Sequence, residues 1–126
     1  AINSGSDITL KTDKAFDTSY WKTITNASSL ISVKQAEAYA KEIYDALSFV
    51  KGIPSTDSVV VDTIKKLKNK AQLSQVGYHY NSLYNRSLYE DFNYIDKVTV
   101  ANFFINSVYM PDRIELSNYI KSLPNS

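Results

Sequence analysis

Cysteine is absent from this 126-residue chain. That excludes disulfides, thiol catalysis and thiolate metal sites, and leaves the redox compartment undetermined. Glycine is nearly as scarce: only Gly5, Gly52 and Gly77 occur, too scattered to build a phosphate-cradling loop. The single histidine, His79, cannot supply the paired imidazoles of an HExxH zinc site, and reads as a packed or surface residue. No GxSxG run is present, so the usual nucleophile elbow is missing. Charge of neither sign dominates, with a net of +1. No bulk field therefore draws the chain to nucleic acid or anionic lipid. No apolar run nears the roughly 20 residues of a membrane span. The opening AINSGSDITL lacks the basic start and apolar stretch of a signal peptide.

What is present is ordinary for one globular domain: 44% apolar and 21% charged residues. Ten Tyr and five Phe are many for this length. Tyr at helical spacing usually packs with its hydroxyl reaching water. Residues 1–30 are rich in Ser, Thr, Asn and Asp and keep no period, so they read as a polar, extended N-terminal arm before a domain over 31–126. Phe16, Tyr20 and Trp21 cluster there in AFDTSYW. They either tuck onto their own domain or anchor the arm in pockets of a neighbouring subunit, which makes them the partner-docking candidates. An independent arm predicts that removing residues 1–30 leaves helicity intact.

From residue 32 the pattern is helical. Ser32 and Gln35 form a capping box, with Ile31 and Ala36 placed for a hydrophobic staple. Ala36, Ala40, Ile43, Leu47 and Val50 follow on one face. Lys51-Gly52 ends this helix. A second begins after Pro54, with Ser55 or Thr56 as cap, Asp57 in its first turn and Val60, Ile64 and Leu67 inward. Lys65, Lys66, Lys68 and Lys70 crowd its end. A cationic last turn complements the helix dipole and reads first as a solvated face; these lysines are also the anion or lipid candidates. A third helix spans 72–84, stopped by Asn85 in a left-handed conformation. Ser87 and Glu90 make a second capping box, with Leu88, Phe92 and Ile95 inward. Asp91, about 100° around the helix from Glu90, reads as a surface charge and no partner for acid–base work. A fifth helix runs over 97–109, and Pro111 suits the start of a last one. The fold class is all-α.

The order of these signals resembles one annexin repeat. Gly52-Ile53-Pro54-Ser55-Thr56-Asp57 stands where the family has its Gly-x-Gly-Thr-Asp loop. Asn69-Lys70-Ala71-Gln72 stands for the Asn-Ala-Gln start of the third helix, and Leu83-Tyr84-Asn85-Arg86-Ser87-Leu88 for the break before the fourth. The likeness covers about residues 32–123 and implies about five short helices plus a C-terminal one. It is nearest to single annexin-like modules in proteins of tailed phages of Bacteroidetes, which sit in virion proteins or beside cell-wall-active domains.

The resemblance implies a calcium and acidic-lipid site, but its residues are broken here. Pro54-Ser55 replaces the second loop glycine, and the distal acid falls at Ile95, which cannot ligate a hard cation. Gly52, Thr56 and Asp96 are what remains, and Asp96 lies one residue off register. No metal or cofactor is therefore expected. A lone repeat also leaves its repeat-to-repeat face uncovered. The expectation is a non-enzymatic structural or interaction protein: a minor or auxiliary phage virion component, made in the bacterial cytoplasm, that self-associates or docks to other virion subunits. The alternative is a peripheral membrane-binding module, calcium-dependent or not, working through the 52–57 loop and the lysines. A third reading is a targeting module cut from a cell-wall hydrolase. No specific nucleic-acid binding is expected, since the lysine cluster comes without a groove-reading motif. Asn26-Ala27-Ser28 and Asn85-Arg86-Ser87 match glycosylation sequons of the kind that arise by chance in an Asn/Ser-rich chain.

Overall fold

The computed structural model describes residues 10–47, 56–92 and 110–126. Among them there is no strand, and the fold is all-α. Four α-helices carry it: α1 Val33–Leu47, α2 Thr56–Lys65, α3 Lys70–Tyr84 and α4 Met110–Ser122. A short helical segment, 88–92, follows α3. Before α1 lie three 3-10 turns, Lys14–Phe16, Tyr20–Thr23 and Ala27–Ser29.

Helix α1 starts as expected. The Gln35 N–H donates to Ser32 Oγ at 3.1 Å, satisfying one of the amide groups a helix start leaves open. The reciprocal half of the box is replaced, because Gln35 Nε2 donates to Tyr39 OH at 3.0 Å. Ala36, Ala40, Ile43, Ala46 and Leu47 are all buried. The small alanines let α1 lie close along α3, the helix it packs on most extensively. Tyr44 stacks flat on Tyr84 at 3.9 Å and meets Tyr80 edge-on at 6.0 Å, the latter a geometry aromatic pairs favour.

Helix α3 is the centre of the molecule. Every residue from 71 to 77 is buried, as are His79 and Tyr80. It starts at Lys70, two residues earlier than the pattern suggests, because Asn69 is the true cap. The Asn69 side chain accepts from the Gln72 N–H at 2.8 Å. The Lys70 and Ala71 N–H groups donate to the carbonyls of Pro124 and Asn125 at 2.8 and 3.1 Å, and the Leu73 N–H reaches Asn69 O. The open donors at residues 70, 71 and 72 are thus filled, and the regular helix bonding begins at Leu73. At its other end Asn85 takes the left-handed conformation expected of it, with φ 56° and ψ 41°. The Glu90 N–H then donates to Ser87 Oγ at 3.1 Å, and Leu88 and Phe92 turn inward.

The extended arm is corrected over residues 10–30. This segment is a strap of 3-10 turns laid on α3, and no boundary at residue 30 separates it from the core. Leu10 and Ala15 are 1% and 0% exposed. Asp13 and Asn26 cap the first and third turns by accepting from Ala15 N and Ser28 N at 2.9 and 3.1 Å, local bonds that Asx side chains make well. The expected helix over 97–109, the end of the first helix at Lys51-Gly52, and Ile95 lie outside the described residues.

Candidate functional site

Two polar clusters, both on α3, hold most of the chemically capable side chains. The first seats the strap. Phe16, Tyr20 and Trp21, the expected partner anchors, are half-buried within this same chain. Phe16 meets Tyr89 edge-on at 5.4 Å and stacks near Phe92 at 6.4 Å. Trp21 stands edge-on to Tyr78 at 5.4 Å, and Lys22 Nζ lies 4.7 Å from the Tyr78 ring centre, a cation–π contact. Lys14 lies 5.4 Å over Tyr20. The Trp21 backbone N–H donates to Ser74 Oγ at 3.0 Å, and that hydroxyl donates to Asp17 O at 2.5 Å. The next residue, Gln75, binds Ile31 at both backbone groups, accepting at 2.9 Å and donating at 2.7 Å. Asn69 and Gln72 both donate to Ser29 O. Lys70 closes the row through an ion pair with Asp13 at 2.9 Å, with side chains only 14% and 10% exposed.

The second cluster joins α3 to segment 88–92. Asp91 is buried, contrary to the surface charge expected. Tyr80 OH donates to its Oδ2 at 2.6 Å. Arg86 forks onto both carboxylate oxygens at 2.7 Å, the bidentate geometry that makes such pairs strong. Burial, aided by the bond to Asp91, pushes the Tyr80 phenol far above its ordinary range. The same carboxylate raises the Arg86 guanidinium.

The lysine row is paired in part within the chain. Three of its four members face carboxylates of this chain: Lys65 bonds Glu115, Lys66 lies 3.7 Å from Glu42, and Lys70 holds Asp13. Lys68 is exposed. These pairs stitch the end of α2 to α1 and α4, and α3 to the strap, while Lys65, Lys66 and Lys68 stay exposed to solvent. His79 is buried at 8% exposure, with Nδ1 3.8 Å from Glu37 Oε2 and its ring edge-on to Tyr78 at 5.0 Å.

Of the calcium-loop remnants, Thr56 is the first residue of α2, while Gly52 and Asp96 lie outside the described residues. Among the described residues no cluster of three or more His, Asp or Glu is placed to hold a metal, and no helix is long and apolar enough to cross a membrane. The residues sequence reasoning missed are Ser74, Gln75, Asn69 and Asp91. Their signal was polarity inside a stretch that must be buried, which calls for a partner. No protein-family model, curated protein or solved structure matches this chain.

Proposed function

We propose that this chain is a non-enzymatic interaction module that docks to neighbouring protein subunits, and that it serves as a minor component of a virion, like the annexin-like phage modules it resembles. What supports this is how its reactive groups are used. Asp91, Arg86, Tyr80, Ser74, Asp13 and Lys70 each bond another part of the same chain. They are spent on holding elements together, and among the described residues they leave no matched acid and base facing a cleft. Among the described residues, three large apolar side chains also face outward. Val33, Val59 and Leu83, one each on α1, α2 and α3, are 57%, 41% and 48% exposed. Each of these side chains gains from being covered by a partner.

Light scattering on the purified chain across the micromolar range tests the reading. The expected result is an oligomer, reduced to monomer by Val59→Glu with Leu83→Glu. A wild-type chain that is monomeric throughout, and that binds no co-expressed virion protein, overturns it. Sedimentation with acidic liposomes tests the membrane alternative. Pro54-Ser55 in the loop and Ile95 at the distal acid position predict no calcium-dependent pelleting. Pelleting that chelator reverses would replace the docking reading with the membrane one.

A further inference from the structure

We infer that residues 10–23 form an exchangeable plug, able to seat on α3 of a second copy of this chain as it seats on its own. The inference rests on the docking reading above and names the partner: the chain itself. Three observations carry it. First, the plug is fastened to α3 by polar side chains, through Asp13 on Lys70 and through Asp17 and Trp21 on Ser74. A buried ion pair and a doubly used hydroxyl are demanding partners, and another copy presents the same pair in the same geometry. Second, the plug and the next latch are separated by a joint. Ile24 and Asn26 are extended, with φ/ψ of −85°/122° and −84°/102°. Thr25 and Asn26 are exposed. Every hydrogen bond described for residues 24–26 is local, to Trp21 O and from Ser28 and Ser29. Beyond the joint, Ser29 and Ile31 are held separately by Asn69, Gln72 and Gln75. Third, the plug brings Leu10, Ala15 and Phe16 into the core. An open plug leaves that seat empty, so an opened chain is driven to close on whichever copy is nearest. Reciprocal exchange restores every contact, and its remaining cost is that of association.

The absence of cysteine makes a clean test. A Cβ built on Gly77 would lie 3.7 Å from Thr18 Cγ2, within a small shift of the roughly 3 Å between a Cβ and the partner sulfur of a disulfide. The full-length double variant Thr18→Cys with Gly77→Cys is expected to close within one chain under dilute oxidation. The two single variants, mixed at high micromolar concentration in mild urea, dialysed and oxidised, are then expected to give a disulfide dimer holding one copy of each, identified by mass. Double-variant closure without any mixed dimer overturns exchange, and leaves the docking reading to be judged by the wild-type light scattering. A double variant that keeps wild-type helicity but does not close also overturns it, since the seat itself would be wrong. A second probe leaves the core untouched. Deleting Thr25 shortens the joint, so one copy cannot hold both latches, and scattering should shift toward dimer. A monomer of unchanged stability after that deletion overturns the inference as well.

Discussion

Asp91 accepts from Tyr80 and Arg86 while only 8% exposed, so its removal strands a buried phenol hydroxyl. Arg86 is half in water and can be hydrated. Asp91→Ala should therefore cost about 2–3 kcal/mol, read from the urea midpoint at constant m. Tyr80→Phe removes one bond and no volume, and should cost about 1–2 kcal/mol. The pair also sets a pH dependence. The fold holds the neutral phenol, because burial and the Asp91 carboxylate oppose its ionisation. That stabilisation is whole below the ordinary tyrosine pKa of about 10 and drains away as pH rises toward the elevated value. Urea midpoints measured from pH 7 to pH 11 should fall at the alkaline end, and fall less steeply in Tyr80→Phe. Asn85 supplies a backbone test. Its left-handed φ of 56° suits Asn and Gly, so Asn85→Ala should lose about 1 kcal/mol, with Tm lower by about 3–6 °C, while Asn85→Gly stays near wild type.

At the level of elements, the start of α3 concentrates risk. Asn69 caps the helix through its carbonyl oxygen and holds the strap through its amide, on Ser29. Asn69→Ala should cost about 1–2 kcal/mol, and amide exchange should quicken at Gln72 before it quickens in α1. The helices themselves were legible in sequence wherever capping chemistry met a clear period. Ser32, Ser87 and Asn85 act as their residue types predict, and Ala36, Ala40 and Ile43 bury the face their spacing implies. Helix α3 was less legible. Gln72, Ser74 and Gln75 interrupt its apolar period, yet all are buried, because their hydrogen bonds are met by a segment far away in sequence. Leu83 misleads in the opposite direction, apolar at the end of that helix but nearly half exposed.

For the whole molecule, the strap decides the outcome. A segment rich in Ser, Thr and Asn keeps no period of its own, so nothing local in residues 10–30 betrays that Leu10, Ala15 and Phe16 belong to the core. The partners that bury them lie some fifty residues on, as the Asp17–Ser74 and Asp13–Lys70 bonds show. Deleting residues 1–30 should thus abolish the cooperative melt seen by far-UV circular dichroism. Emptying a Leu and a Phe site costs roughly 5–10 kcal/mol together, comparable to the whole stability of a small domain. A truncated chain that keeps full helicity and a sharp transition would restore the independent arm. One consequence follows from the tail that crosses back to residues 70 and 71. Tension applied at Ser126 is loaded onto the amide groups that open the central helix, so a mechanical pull on that end reaches the hub of the molecule within two peptide units.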